Sequence, residues 1–384
     1  MTAPILFDPL HPPPGIWDGV PDAERSYIEQ MAQAGVPAMV SNVRTVWRAI
    51  RSGGRVFPVT INDGEMGDSY VCLPHSAYIL YGRQELDLVQ VSGVMRAALR
   101  LVIAGADWLL RALSVNRIVH VDNWLLSTNL HGDWAGQDAP AIRTMLARAF
   151  PRHIIAIRSV DNWSCPALLA SLKRDGWLLM PSRQIWVTAD LARDWRPRNS
   201  TRNDLRKVAA LEQSGAISVE DVGELVEGDA QRIADLYAQL YIGKYSPLNP
   251  VFTPRWIAMT HAVGLVHYRV ARDAEGQIVA VSGALHRGDV LTPPVVGYDM
   301  DRPVDDALYR IASLIFAGQA VDRGARLNGS AGAAHFKRVR GGRPEIEVSG
   351  FAIDHLPWPR RAGLRLVAAI LNRMIVPFMQ KMEL

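Results

Sequence analysis

The stretch from Leu327 to Glu345, LNGSAGAAHFKRVRGGRPE, packs small residues, an aromatic beside a lysine and a cationic run into fewer than twenty positions. Gly329, Ser330, Gly332, Ala333 and Ala334 let a ligand approach the backbone without side-chain obstruction. Lys337, Arg338, Arg340 and Arg343 follow directly. Free amide N–H groups beside fixed positive charge hold a phosphate, a carboxylate or a developing oxyanion. A solvated basic loop between strands has the same composition, so the run alone leaves both readings open.

Other residues have chemistry of a compatible kind. Tyr241, Lys244 and Tyr245 end an amphipathic helix and would bring hydroxyl and ammonium groups to a cleft mouth, or pack and solvate as an ordinary aromatic helix end. Asp299, at a strand end, is a candidate general base toward an acceptor ammonium, and equally a helix cap. Arg158, Asp161, Asn162 and Trp163 follow a buried strand as a polar cluster that either lines an acceptor site or caps the next helix. The run from Asp122 to Thr128 has the same ambiguity. Arg202 and Arg206 lie one helical turn apart, as an anion-binding pair or a solvated one.

Several chemistries lack a motif. The ten histidines are dispersed without metalloprotease spacing, and no Cys-x-x-Cys occurs, so no metal site is expected. There is no G-x-S-x-G elbow, no P-loop and no G-x-G-x-x-G after a strand. Cys72 and Cys165 sit far apart in unlike settings, which suits a reducing cytoplasm better than a disulfide framework. The first twenty residues are proline-rich and lack both a basic start and an apolar run, so no secretory leader is expected. A formal charge of +4 permits anionic partners but gives no support for DNA.

The elements that must position these residues come in two runs. With 384 residues and 49% hydrophobic content, two cores are expected. In the first run, helices are expected near 27–34 and 43–51, with strands at 55–61 and 68–72. The long helix over 94–113 has its charges on one face and reads as an amphipathic core helix. Strands at 117–121 and 153–157, a helix at 139–149, a helix at 165–175 capped by Ser164, and a strand at 177–187 complete the half. The second run begins near Pro197, with Ser200 capping a helix over 201–213. A helix after Asp229, a three-stranded meander through Tyr298, a helix from Pro303 to Arg323, a short strand at 326–328 and a last strand at 345–353 follow. Expected boundaries are 1–196, 197–360 and a tail at 361–384. In that tail Leu364, Val367, Leu371, Met374, Ile375 and Phe378 form an apolar stripe beside arginines, fit to pack on the domain, lie on an anionic membrane or dock on a partner.

This order of elements resembles the GNAT N-acyltransferase superfamily. The tandem arrangement, with Phe336-Lys337 and Arg340-Gly341-Gly342 near the end of the second half, looks like its FemAB-like branch. The likeness covers most of residues 40–360 in element order, with the motifs concentrated between Tyr298 and Glu347. It implies an α/β (α+β) fold of two GNAT-like domains, each a mixed, largely antiparallel sheet flanked by helices, with the acceptor held on the N-terminal side. It also implies an acyltransferase that moves an acyl or aminoacyl group to a small-molecule amine. The donor would be an acyl-CoA, an acyl carrier protein thioester or an aminoacyl-tRNA, with no tightly bound cofactor. By resemblance, Phe336 and Lys337 sit beside the reacting carbonyl, Lys337 stabilising the oxyanion or binding a donor phosphate. Ser330, Gly332, Arg338 and Arg340 would line the same site, and Tyr298 or Asp299 would handle the proton. One departure concerns the donor. Ordinary GNAT enzymes hold pyrophosphate on a glycine-containing loop, whereas here Tyr298-Asp-Met-Asp-Arg-Pro303 is followed by Asp305 and Asp306. Two other readings remain: a non-catalytic scaffold that holds a carrier or anionic ligand, and an acetyltransferase using acetyl coenzyme A in the first half near Arg83.

Overall fold

Ser52-Gly53-Gly54-Arg55 sets two glycines at φ 54° and 87°, the left-handed geometry that a two-residue hairpin turn demands. That turn decides the local structure around it. In the computed structural model, which describes residues 3–88, 92–226, 228–377 and 379, strand β1 (Ile5–Phe7) and helices α1 (Asp22–Ala34) and α2 (Val36–Met39) precede it. The hairpin itself is β2 (Val46–Ser52) and β3 (Arg55–Asp63). The helix expected over 43–51 is therefore a strand, paired with β3 along its whole length. The strand expected over 68–72 is a buried turn.

Next come α3 (Tyr81–Leu88), α4 (Gly93–Ala112), β4 (Arg117–Val121), α5 (Ala139–Ala149), β5 (Ile154–Val160), α6 (Pro166–Arg174) and β6 (Leu178–Thr188). Ser92 caps α4 by accepting from the Met95 amide. Ser164 does not cap α6; Asp161 holds that turn, accepting from the amides of Trp163 and Ser164 at 2.8 and 2.5 Å.

The second half runs α7 (Asn199–Gln213), β7 (Ile217–Asp221), α8 (Asp229–Tyr237), α9 (Pro254–Ala262), β8 (His267–Asp273), β9 (Ile278–Arg287) and β10 (Val290–Tyr298). It ends with α10 (Leu308–Asp322), β11 (Arg326–Asn328), α11 (Ala334–Val339), β12 (Arg343–Ala352) and α12 (Trp358–Ile370). Ser200 lies inside α7, which starts without a side-chain cap. The helix expected from Pro303 is interrupted: a single 3-10 turn, Val304–Asp306, ends at Ala307 with φ 57°, and only then does α10 begin. A π-helical stretch, Ala238–Tyr245, prolongs α8. Of the apolar tail stripe, Leu364 and Val367 are buried, whereas Phe378 lies outside the described residues.

Among the described residues twelve strands form one sheet in the order β1-β2-β3-β4-β5-β12-β6-β11-β10-β9-β8-β7. Only β4 with β5 and β10 with β11 are parallel; the other neighbours run antiparallel. The fold is thus mixed α/β, with a mostly antiparallel sheet flanked by helices and one element order used twice. The run β4-α5-β5-α6-β6 matches β10-α10-β11-α11-β12. At the centre the halves exchange their last strands, so β12 pairs with β5 and β6 pairs with β11. This register makes α3 and α4 an insertion between β3 and β4, where the second half has only the tight turn between β9 and β10. One apolar cluster also crosses between the halves, joining Tyr27, Trp47 and Trp124 to Tyr237, Phe252 and Trp256.

Candidate functional site

Strands β10 and β11 pair only at Val290–Arg326 and Leu291–Leu327. Beyond these pairs β10 continues along β9 to Tyr298, while β11 turns away into the 328–333 loop and α11. The parting of the strands opens a notch whose floor is this loop. Gly329 and Ser330 are pinned to β6 by reciprocal bonds with Trp186, at 2.8 and 3.0 Å. The loop passes through positive φ at Ser330, Gly332 and Ala333.

Lys337 organises it. Its ammonium donates to the carbonyls of Gly329, Ser330 and Ala331 at 2.7, 3.2 and 2.8 Å. Burial, with the nearby Arg183 charge, pushes the ammonium down to about 7. Arg183, on β6, faces Glu347 on β12 as a direct cross-strand partner. The pair is bidentate, Nε to Oε1 and Nη2 to Oε2 both at 3.0 Å. Burial opposes the Arg183 charge, yet Glu347 holds its guanidinium above the ordinary arginine range. Arg183 also donates to the Ser127 carbonyl and Thr128 Oγ1, at 2.6 and 2.7 Å, and to Ser330 Oγ at 3.3 Å. Arg158 lies buried behind it, bonded to the Val71 carbonyl and Asn123 Oδ1, both at 3.1 Å. Desolvation lowers its pKa, and no carboxylate among the described residues pairs with it directly. Arg183 and Arg158 therefore both draw on the buried Glu347 carboxylate, Arg183 by direct contact and Arg158 through space.

An aromatic wall borders this charge. Tyr309 lies between Tyr298 and Phe336, with ring centroids 5.7 and 4.6 Å away. Tyr241 stacks on Tyr237 and meets Tyr245 edge-on. Burial, with the phenols of Tyr245, Tyr241 and Tyr298, raises the Tyr309 hydroxyl well above its ordinary value. Lys244 rests 5.9 Å from the Tyr245 ring. Between the wall and the loop lies a cavity of about 30 Å³, touched by Trp186, Phe316, Phe336 and Lys337.

The fold thus gathers Ser330, Phe336, Lys337, Tyr241, Lys244, Tyr245, Tyr298 and Arg158 around one inter-half site. Other residues named from the sequence have different engagements. Arg340 stacks on Phe336 at 3.5 Å and bonds Asp204, at 2.9 and 2.5 Å. Asp299 is spent on Arg232 at 2.7 Å and on the Asp301 amide at 3.1 Å. Trp163 carries the Arg326 guanidinium on its ring, and Asn162 lies in the turn held by Asp161. Arg202 bonds Asn199 on the exposed face of α7, Arg338 is exposed beside His335, and Gly332 borders open space. Arg83 is on α3 and pairs with Asp107 of α4 at 2.6 Å, so it is not at the start of the long helix. Both thiols are buried and pushed up to about 12, which suits packing and not nucleophilic attack.

Sequence reasoning missed Arg183, Glu347 and Tyr309, while Thr128 closes the polar run already singled out. The signal was a charge in the middle of each of two expected buried strands, because such a charge needs a partner on the neighbouring strand. A larger cavity, about 440 Å³, lies elsewhere between the loops near Gly53, Trp124, His131 and Arg287. Its charges are mutually consumed: Arg287 with Glu24 at 2.8 Å, His131 with Asp122 at 2.7 Å, and Arg55 with Asp133. Among the described residues neither Lys337 nor Arg158 has a carboxylate in direct contact; carbonyl and amide oxygens hold both.

No protein-family model matches the chain, and no curated protein does. Among solved structures, it is similar to L-PGS from Bacillus licheniformis at 11% identity and TM-score 0.44, over 60% of this chain and 78% of that one. It is similar to FemX at 10% identity and TM-score 0.41, over 56% and 77% respectively. A tandem GNAT protein from the clavulanic acid biosynthesis pathway matches at 12% identity and TM-score 0.40, over 89% of this chain and 95% of that one.

Proposed function

We propose that the chain is an acyltransferase that moves an acyl or aminoacyl group from an activated ester or thioester to an amine. The carrying observation is that Lys337 of α11 and Arg183 of β6 both reach Ser330 in the loop where β10 and β11 part, beside the Phe336–Tyr309 wall. A tetrahedral intermediate places negative charge on the former carbonyl oxygen, and a preorganised cationic site lowers that barrier without solvent reorganisation. In this reading the neutral amine nitrogen attacks the carbonyl carbon, the C–N bond forms, and the C–O or C–S bond to the carrier breaks. Lys337 and Arg183 supply the field, and Phe336 with Tyr309 walls the acyl group. The proton lost by the attacking nitrogen goes to the departing oxygen or sulfur, relayed by the Tyr298 hydroxyl, which accepts from the nitrogen as it donates to the leaving group, since both Asp299 oxygens are engaged. The acidic approach to α10 disfavours a pyrophosphate there, which favours a donor whose anion is held by the 329–333 loop.

The second reading is a binding protein for a carrier or anionic ligand, favoured by the three carbonyls that already occupy Lys337. One experiment separates the two. The melting temperature of the protein is followed with acyl coenzyme A of short and long chain, an acyl carrier protein thioester and aminoacyl-tRNA, and each binder is then assayed with a panel of amines. A stabilising donor that yields an amide product supports the enzyme. Stabilisation without product on any amine supports the binding protein, and no stabilisation by any donor overturns the acyl-donor reading.

A further inference from the structure

The long inserted helix α4 has two apolar faces. Its inner one, through Ala106, Leu110 and the following Leu113, packs on the sheet beside Ile118, Ile154 and Phe351. The opposite line, Ala97, Leu101, Ala104, Gly105 and Trp108, is exposed. Leu101 is 76% and Trp108 72% accessible. An ordinary surface helix turns its charges outward; here Arg100, Asp107 and Arg111 lie on the flank and the outermost line is apolar. The charges occupy one face as the sequence indicated, but that face is not the one opposite the core.

A second helix continues the surface. Gly363 lets α12 close on α4, since a Cβ there would meet Leu113 at 2.6 Å. Arg360 ties the two together by donating to the carbonyls of Leu113 and Ser114 at 2.7 and 2.9 Å. Both helices rest on the same apolar cluster. The outward side of α12 again carries large apolar groups, Trp358 at 71% exposure with Leu366 and Ile370. Besides Arg360, α12 and its π-helical extension hold Arg361, Arg365 and Arg373 with no acidic residue of their own, although Arg365 pairs with Asp354 beside the helix at 3.1 Å.

We infer that the joined outer faces of α4 and α12 are a docking surface for an anionic lipid bilayer. The argument for this occupant is charge and residue type together. Exposed tryptophan and leucine enter the headgroup boundary, while interleaved arginines meet lipid phosphates. A symmetric contact of α12 on the α12 of a second copy would press arginines against arginines. No helix among the described residues is long and apolar enough to span a membrane, so the contact lies on the surface. This inference is independent of the proposed reaction.

The test is sedimentation of the full chain with sucrose-loaded vesicles, of phosphatidylcholine alone or with half phosphatidylglycerol. The expected result is binding to the anionic vesicles, weaker on phosphatidylcholine and weakened by salt. The double variant Leu101→Glu/Trp108→Glu should lose on the order of tenfold in partitioning while keeping the wild-type melting temperature, because both side chains stand in solvent. Arg361→Glu/Arg365→Glu should abolish the preference for anionic lipid. Failure of the wild type to sediment with anionic vesicles at low salt overturns the inference, as does a Leu101/Trp108 variant that binds like the wild type. A concentration-dependent dimer in sedimentation velocity, dispersed by the same variant and indifferent to vesicles, assigns the face to a second copy instead.

Discussion

Lys337 braces a backbone that would not hold its shape alone. Ser330 and Ala333 sit at φ 60° and 51°, where a side chain costs about 1 kcal/mol or more. Three carbonyls turned onto one ammonium offset that cost. Lys337→Met should therefore lower stability by about 2 kcal/mol in denaturant titration, and remove turnover as well. The pH dependence has a definite sign. With its pKa pushed down to about 7 from an unfolded value near 10.5, the folded lysine binds fewer protons between these limits, so stability rises with pH across that window. The wild type should gain on Lys337→Met from pH 7 upward, read by the same titration. The Arg183–Glu347 pair carries a second prediction. Glu347→Gln strands buried cations and should cost about 3 to 5 kcal/mol, whereas replacing both partners by apolar residues should cost less than either single change. Much of this site was legible, since Phe336, Lys337 and Tyr241 advertise themselves by type. Tyr309 did not, because an aromatic on a core-facing helix reads the same whether it packs or lines a cleft.

Asp107 fastens helix α4 along its polar flank. Asp107 accepts from His75, Arg83 and Arg111, and these partners, His75 first, hold its carboxyl well below the ordinary range. A depressed carboxyl contributes stability above the unfolded pKa and loses it as pH falls through that value toward the folded one. Asp107→Asn should speed amide exchange in α4 at neutral pH, and the wild type should show the same loosening only below about pH 4. Element type was read well where periodicity was long, as in α4, α5 and β9. It failed at β2, where Val46 to Ser52 contains helix-compatible spacing and the decisive Gly53-Gly54 turn lies just outside the window. It failed again at Pro303, because nothing in Val304 to Asp306 reveals that Ala307 will adopt φ 57° and restart the helix.

The sheet binds the two halves through their exchanged last strands. Without β12, strands β5 and β6 of the first half have no shared neighbour, and without β6 the strand β11 ends the second half as an open edge. Residues 1–196 and 197–384 produced separately should each be aggregated or poorly folded by circular dichroism and size exclusion, and should recover soluble structure when co-expressed. Cooperative folding of either fragment alone would refute this. The repeated element order was visible in the sequence, but the strand exchange was not, because both β6 and β12 read as interior strands whichever neighbours they take. The exchange also sets a clock during synthesis. Arg183 and its partner Glu347 are 164 residues apart. A ribosome adding about 5–20 residues per second leaves β6 waiting roughly 8–33 s for the strand that covers it. Through that interval the side of β6 that β12 will cover stands open, so slowing translation of the second half should lower the soluble yield.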